Sequence, residues 1–380
     1  MLIYFDHAST SRPKPPEVMQ EISSFLETIG ASPGRGGYFL AEAAETVVAE
    51  VRGKLAAMLQ AEHADQIAFT HNGTHAINIV LKGLLQKGDH VIISNFEHNA
   101  ALRPLHSLFM QRGITYSVWS ANGEGFFDLQ ALKQSVQENT KLLVLNHASN
   151  VLGVLSPVKE VGAIAQSRKI PLLIDVAQTA GMFPVDFAAC ADYIAGTCHK
   201  SLLGPSGVGF LYVKDPDTLS PLYEGGSGQH SLSLFHPEIS PDKFESGTLN
   251  YMGIAGLKGG LSYLETHGQH SIRKKAMGLT QEAIRMLQEL PEVTLYGTQS
   301  IEHKVPLLSF NLRGFFASEV GYLLNAQGIC VRSGLHCAPL MHKSLGTLPQ
   351  GTVRLSFGHQ NTMEEVNQLV AALKKITGKL

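Results

Sequence analysis

The chain has 380 residues, of which 44% are hydrophobic and 16% charged, with 30 Lys and Arg against 32 Asp and Glu. This apolar content excludes a disordered chain and suffices for a large core and two or three domains. The formal net charge of −2, without a basic block, argues against a nucleic-acid-binding protein.

The cysteines and the N-terminal segment indicate the cellular compartment of the protein. Four cysteines in so long a chain, with no Cys-x-x-Cys pair, favour neither a disulfide framework nor a zinc ribbon. The apolar run at the N-terminus is too short for a signal peptide, and no segment approaches the length that spans a bilayer. We therefore expect a soluble cytoplasmic protein with no membrane association.

Short apolar runs alternate with helical patterns over the first part of the chain. A proline-rich arm at 12–16 leads to a first helix at about 16–29. Strands are predicted at 66–70, 90–94, 142–146, 171–175, 192–196 and 207–213. Because these runs are apolar on both faces and helical stretches separate them, they predict a parallel sheet covered by helices.

The pattern changes after Val213. Residues 214–245 are rich in Gly, Ser, Pro and His and predict a long loop. The elements that follow are a helix at about 251–290, a strand at 304–311, a helix at 317–328, a Gly/Cys loop, a strand at 352–357 and a helix after Asn361. Asn361-Thr-Met-Glu364 fits a capping box with Glu364 at N3.

These elements predict an α/β protein with two domains. A large domain at 16–250 contains the mostly parallel sheet, and a smaller α/β domain at 251–380 contains the cysteine loop. The arm at 1–15 is expected to pack with the small domain. In an open parallel sheet, ligands bind at the carboxyl ends of the strands, so candidate site residues are sought there.

Two neighbouring strand ends carry an acid and a lysine. Asp175 ends one strand and Gln178 follows it, while the next strand leads into Thr197-Cys-His-Lys200. This pair fits pyridoxal phosphate, because a lysine amine forms a Schiff base with the aldehyde and an acid keeps the pyridine nitrogen protonated. Taken singly, these residues are better explained as a cap and a solvated lysine.

Three other strand ends carry candidate binding groups. Asn72-Gly-Thr-His75 opens a helix, where free N–H groups and the helix dipole favour a phosphate, although an ordinary N-cap by Thr74 is the alternative. His98 could stack on a flat ring or shuttle a proton, and its alternative is a satisfied loop histidine. Asn150 could donate to a ring hydroxyl or a carboxylate, and its alternative is a turn asparagine.

The predicted small domain adds a thiol and a guanidinium. Arg332-Ser-Gly-Leu-His336-Cys337-Ala-Pro339 predicts an exposed, mobile loop in which Arg332 or His336 could lower the thiol pKa. A metal site at His336, Cys337 and His342 would lack a fourth ligand, so none is predicted. Arg354 lies on the polar face of an alternating strand and could grip a carboxylate bidentately, or simply be solvated.

Together these segments resemble the cysteine desulfurase and selenocysteine lyase family, within the class V aminotransferase group of fold-type I pyridoxal-phosphate enzymes. The similarity extends from Tyr4-Phe-Asp-His-Ala-Ser-Thr10 to Gly351-Thr-Val-Arg354. Between them lie Gly34-Arg-Gly-Gly37, Phe96-Glu-His98, Ser149-Asn150-Val, Asp175-Val-Ala-Gln178, His199-Lys200, Phe244-Glu-Ser-Gly-Thr248 and Arg332-x-Gly-x-His-Cys337. The short cysteine loop resembles the branch in which this loop is compact.

The resemblance implies a role for each matching residue. Lys200 would bind pyridoxal 5'-phosphate and move the Cα proton, His98 would stack on the ring and assist, Asp175 would pair with its nitrogen and Gln178 with its hydroxyl. The remaining cofactor contacts would come from Gly73, Thr74, His75, Thr197, His199 and, from the partner subunit of a homodimer, Thr248. Substrate contacts would come from Asn150, Arg332 and Arg354, and Cys337 would take the sulfur.

The sequence departs from the family pattern at three positions. His75 stands where a second phosphate-binding Thr is usual, Cys198 replaces a small residue, and His7 replaces an Asn. The first two leave the phosphate contacts open, because a longer side chain must fit.

The leading hypothesis is a cysteine desulfurase that converts L-cysteine to L-alanine and places the sulfur on Cys337 as a persulfide, available to an acceptor protein. A selenocysteine or cystine lyase, or a class V aminotransferase, would share Lys200 and Asp175 without needing Cys337. A non-catalytic scaffold is disfavoured because Lys200 and Asp175 are both present.

Overall fold

Thirteen strands and eleven α-helices make up the computed structural model, which describes residues 2–34, 37–228 and 232–378. Arg35 and Gly36 of the predicted glycine motif lie outside the described residues. The strands are β1 (Ile3–Tyr4), β2 (Ile67–Thr70), β3 (His90–Ser94), β4 (Thr115–Trp119), β5 (Thr140–Asn146), β6 (Leu172–Asp175), β7 (Tyr193–Thr197), β8 (Gly209–Val213), β9 (Val293–Tyr296), β10 (Leu307–Leu312), β11 (Ile329–Cys330), β12 (Arg332–Gly334) and β13 (Thr352–Ser356). The helices are α1 (Pro16–Ser24), α2 (Phe39–Leu59), α3 (Gly73–Leu84), α4 (Asn99–Arg112), α5 (Leu129–Ser135), α6 (Val158–Arg168), α7 (Tyr251–His267), α8 (Gln269–Gln288), α9 (Ala317–Asn325), α10 (Pro339–Leu345) and α11 (Met363–Ile376).

Seven strands form the large sheet, in the order β2-β8-β7-β6-β5-β3-β4. The five strands from β7 to β4 are mutually parallel, whereas β8 is antiparallel to both of its neighbours. Along β3, Ile92 packs in a core shared with α2 and α6, while Val91 and Ile93 pack in a core shared with α3 and α4. Helices therefore cover both faces, and the predicted α/β fold with a mostly parallel sheet is confirmed.

The second sheet is antiparallel, in the order β12-β13-β10-β9, and packs against α8, α9 and α11. The N-terminal arm joins the same core, because β1 pairs with β11 and both Ile3 and Phe5 are buried there. A bridge between Asp6 and Ser356 continues this contact along β13. The arm thus brings Asp6 towards the edge where the two sheets meet.

Helix α7 belongs with the large sheet. Its apolar residues Ile254, Leu257 and Leu261 pack in the core that contains α2 and α6. Helix α8 starts in that core with Ile272 and continues into the core of the second sheet with Leu279. We therefore propose that the boundary between the two domains lies within α8, rather than at residue 250.

Two predictions about helix ends are wrong. The helix predicted over 251–290 is two helices, because Gly268 adopts a φ of +75° between them. The capping box of α11 is one residue later than predicted: Thr362 is the N-cap and Glu365 occupies N3. Asn361 donates instead to the carbonyl oxygen of Tyr4, which ties α11 to the arm.

In the described part of the chain, every helix falls short of the length or the apolar character that crossing a bilayer requires.

Candidate active site

A cavity of about 230 Å³ lies at the carboxyl ends of the parallel strands, where residues of the second sheet also line it. Most of the predicted site residues line it: Gly73, Thr74, His98, Asn150, Asp175, Gln178, Thr197, His199, Lys200, Arg332, Cys337 and Arg354. The cavity wall does not include His75 or Thr248, and Thr248 is exposed. The fold thus gathers residues from the large sheet and from the segment around the second sheet in one space.

Asp175 and Lys200 are charge partners on this wall. Asp175 is buried, and its Oδ1 accepts a hydrogen bond from the N–H of Ala177 at 2.8 Å. Burial raises the pKa of Asp175, although this N–H and the charge of Lys200 oppose the rise. Burial lowers the pKa of Lys200 to about 8, against the influence of Asp175. A neutral amine, the form that attacks an aldehyde, is therefore accessible near neutral pH.

His98 is the N-cap of α4. Its Nδ1 accepts a hydrogen bond from the N–H of Ala100 at 3.0 Å, so the neutral ring carries its proton on Nε2. Burial, followed by the charge of Lys200, lowers the pKa of His98 to about 4. The cap fixes the ring beside the cavity as a neutral imidazole.

One end of the cavity presents donors suited to an anion. Thr197 Oγ1 and His199 Nδ1 are buried there and have no hydrogen-bond partner among the described residues. The first turn of α3 adds backbone N–H groups and the positive end of its dipole. At Gly209 a Cβ would lie 2.6 Å from the carbonyl carbon of Asn72, so this glycine lets the turn approach β8.

The structure bears on three points that the sequence raised at this end. The N-cap of α3 is Asn72, which accepts from the N–H of His75 at 2.9 Å, and not Thr74. The ring of His75 stacks on His71 with centroids 5.0 Å apart, outside the cavity wall, because its Nδ1 accepts from the His71 N–H. Cys198 is fully buried in the hydrophobic core, so its side chain leaves the anion-binding end unobstructed.

The opposite end carries the two arginines. Arg354 is 2% exposed rather than on an open polar face, because the arm and the Asn150 loop cover β13. Its guanidinium donates to Asn150 O at 3.0 Å, and to Asp6 Oδ1 and Ser9 Oγ at 2.9 Å each, while Nε is buried without a partner among the described residues. Arg332 is exposed and donates to Ser9 Oγ at 2.7 Å.

The thiol lies between these groups. Cys337 is half-buried, not exposed as predicted. Burial lowers the pKa of His336 to about 2, so this ring is neutral and contributes no positive charge that would lower the thiol pKa. Arg332 and Arg354 remain as the cations on this side of the cavity.

Sequence reasoning missed several residues that shape the site. Asp6 and Ser9 reach it from the arm, and Lys14 donates to the carbonyl oxygen of His199 at 2.6 Å. Glu97 is buried beneath it and accepts from Ser94 Oγ at 2.6 Å and Asn146 N–H at 2.8 Å, which joins the ends of β3 and β5. Asp6 and Ser9 lie within the Tyr4–Thr10 motif and Glu97 lies next to His98, so these three gave a signal in the sequence, whereas Lys14 gave none.

The donor set fits the predicted cofactor, pyridoxal 5'-phosphate. Unpartnered donors suit a phosphate, a buried carboxylate and an amine on the same cavity wall influence each other electrostatically, and a buried guanidinium with a free Nε suits a carboxylate. Within the described ranges, His, Cys, Asp and Glu side chains form no cluster that could hold a metal ion.

Comparison with known proteins gives consistent matches along the whole chain. Residues 3–369 match the family model described as Aminotransferase class-V. A probable cysteine desulfurase of Methanothermobacter thermautotrophicus is 37% identical, with 99% of this chain and 95% of that protein covered. A cysteine desulfurase of Serratia proteamaculans is 34% identical, with coverages of 99% and 93%.

Solved structures agree with these sequence matches. The apo structure of a cysteine desulfurase from Thermococcus onnurineus superposes with a TM-score of 0.94 at 32% identity, covering 100% of this chain and 95% of that one. A cysteine desulfurase from Escherichia coli, in an S-sulfonic acid form, gives a TM-score of 0.89 at 29% identity, with the same coverages.

Proposed function

Because this chain belongs to the class-V aminotransferase family, we propose that it is a pyridoxal-phosphate-dependent cysteine desulfurase, which converts L-cysteine to L-alanine and transfers the sulfur to Cys337. The observation that carries the proposal is the placement of the Cys337 thiol on the same cavity wall as Lys200, Asp175 and Arg354. A selenocysteine lyase or an aminotransferase would use the last three without needing the thiol.

The chain's own residues would hold the cofactor as follows. Bound pyridoxal 5'-phosphate supplies an electron-accepting ring that stabilises negative charge on the substrate Cα. Lys200 would bind it covalently, Asp175 would hold the proton on its ring nitrogen, and His98 would cover one face. Gln178, which Ala8 O orients through a 3.2 Å hydrogen bond, would contact the ring hydroxyl.

Substrate binding and sulfur transfer use the other end of the cavity. Arg354 and Asn150 would bind the carboxylate of L-cysteine, and the neutral amine of Lys200 would take the Cα proton. The Cys337 thiolate then attacks the substrate sulfur: an S–S bond forms, the Cβ–S bond breaks, and its electron pair stays with the carbon skeleton. Protons returned to that skeleton give L-alanine, and Cys337 is left as a persulfide.

The test is the holoenzyme with L-cysteine and a reductant. The wild type should release alanine and sulfide, whereas Cys337→Ser should keep its cofactor absorbance and lose activity by about 100-fold or more. Cys330→Ser serves as the matched control, because Cys330 is also a half-buried free cysteine but lies outside the cavity. Unchanged alanine production in Cys337→Ser, or formation of a keto acid, would favour the lyase or aminotransferase.

The proposal extends to the assembly and its setting. Thr248 lies outside the cavity of its own chain, and the nearby side chains of Leu232, Leu234 and Phe235 are exposed apolar surface. A second copy that covers this surface would bring its Thr248 to the phosphate end, which supports a homodimer. All four cysteines are free, which suits the cytoplasm, and a persulfide at the cavity edge suits transfer to an acceptor protein.

A further inference from the structure

Two consecutive residues of the cysteine loop, one of them Cys337, have an uncommon backbone conformation. His336 and Cys337 have φ values of +48° and +59°. This left-handed region is one that non-glycine residues rarely adopt, and two in succession persist only when surrounding contacts favour it. The contacts around His336 and Cys337 therefore determine the position of the thiol.

Both carbonyl groups that flank Cys337 are hydrogen-bonded to the large domain. The Asn150 side chain donates from Nδ2 to His336 O at 2.6 Å, and the backbone N–H of Asn99 donates to Cys337 O at 2.7 Å. His336 Nε2 lies 3.1 Å from Thr352 O, which fixes the ring to β13. The cysteine loop is thus held from two sides, not mobile as the sequence predicts.

Asn150 stands between this loop and the end of the cavity that suits a carboxylate. Its backbone oxygen accepts from Arg354 at 3.0 Å, and both its Oδ1 and the Nε of Arg354 are buried without a hydrogen-bond partner among the described residues. A carboxylate bound by Arg354 would lie against the Asn150 amide. Nδ2 donates one hydrogen to His336 O, and a carboxylate that accepts the other would draw the amide towards Arg354 and away from His336 O.

We propose that Asn150 is a positioning residue for Cys337: it holds the cysteine loop in its strained form while the cavity has no amino acid, and a bound carboxylate draws the amide away and frees the thiol. The inference rests on the proposed function for the role of Cys337 as sulfur acceptor and for the binding of the substrate carboxylate by Arg354. The hydrogen bond from the Asn99 N–H to Cys337 O is kept during this release. The motion is therefore a rotation of the peptide group between His336 and Cys337.

The test measures the alkylation rate of Cys337 by iodoacetamide in the holoenzyme, with peptide mass spectrometry to separate the four cysteines. L-Alanine, which carries the carboxylate, should accelerate alkylation of the wild type by about fivefold or more, and alaninamide should not. Asn150→Ala should react at the fast rate with or without L-alanine. Asn150→Asp keeps the side-chain size, lacks the donor, and should behave in the same way if the alanine variant does not fold.

Asn139→Ala is the matched control, because Asn139 Nδ2 also donates to a backbone oxygen, that of Gly88 at 2.8 Å, far from the cavity. In this variant, Cys337 should be alkylated at the wild-type rate, both with and without L-alanine. Wild-type rates in the Asn150 variants, or protection of Cys337 by L-alanine, would overturn the inference. Alanine production from L-cysteine is assayed separately, so that gated alkylation without turnover would contradict the proposed function and leave the inference standing.

Discussion

Burial of the Lys200 amine determines how the protein takes up its cofactor at different pH values. The folded chain lowers the pKa of Lys200 to about 8, mainly through desolvation, with Arg354 and Arg332 adding to the effect. Only the neutral amine attacks an aldehyde, and its fraction rises as pH increases through this pKa. The rate of cofactor attachment to the apo protein should therefore rise up to about pH 8 and then level off.

The measurement is stopped-flow absorbance of apo protein mixed with pyridoxal phosphate across this pH range. Free lysine treated in the same way is the control, since its rate should keep rising towards its own, higher pKa. If the attachment rate of the protein keeps rising with pH as the rate of free lysine does, the cavity does not desolvate the amine.

Some site residues could be located from the sequence and others could not. Asp175 and Lys200 follow apolar strands, and because the ends of parallel strands share one edge of a sheet, their proximity could be predicted. Asp6 and Ser9 contact Arg354 across 348 and 345 positions of sequence. The sequence predicts that the arm packs with the small domain, but nothing local to the arm indicates which side chains it contacts there, so these two contacts could not be predicted.

At the scale of elements, a buried ion pair ties α2 to the segment that precedes Thr248. Arg52 donates to both carboxylate oxygens of Glu245, at 2.7 and 3.0 Å, and both side chains are almost fully buried. Glu245 also accepts from the N–H of Phe69 on β2. This pair therefore orients the segment that carries Thr248.

Replacing Arg52 with Met should lower the free energy of unfolding by about 3 kcal/mol, because Glu245 would stay buried without its cation. Urea denaturation followed by circular dichroism measures this change. Arg285→Met is the control, since Arg285 forms exposed pairs with Glu282 and Glu289 on α8 and should leave the denaturation midpoint unchanged. Equal effects of the two substitutions would contradict the assigned role of the buried pair.

Strand prediction succeeded where both faces are buried and failed where they are not. β3 and β6 have apolar centres and are buried along their whole length, and their predicted ranges match within a residue. β4 was not predicted, because it lies at the edge of the sheet and most of its residues are exposed. The division between α7 and α8 was missed because both flanking segments have helical periodicity.

At the scale of the whole molecule, the proposed homodimer makes each phosphate site depend on two chains. A Lys200→Ala chain and a Thr248→Glu chain should each be inactive alone: the first lacks the amine, and the second places a negative charge beside the phosphate. Mixed dimers would contain one site with an intact Lys200 and an intact Thr248. Random reassortment should therefore restore about a quarter of the wild-type activity.

Light scattering confirms that the chains have associated, and the activity of each unmixed variant gives the baseline. Mixed dimers that form without recovering activity would show that Thr248 does not act across the interface. How the domains and a second copy meet could not be predicted from strand and helix patterns, because those contacts lie between elements far apart in the chain or on different chains.

The most direct test of the proposed sulfur transfer is mass spectrometry of the holoenzyme after reaction with one equivalent of L-cysteine, without a reductant. We expect one additional sulfur atom on the peptide that contains Cys337, with one molecule of L-alanine formed for each adduct. Alanine formed without that adduct, or an adduct on Cys190 or Cys330 instead, would contradict it.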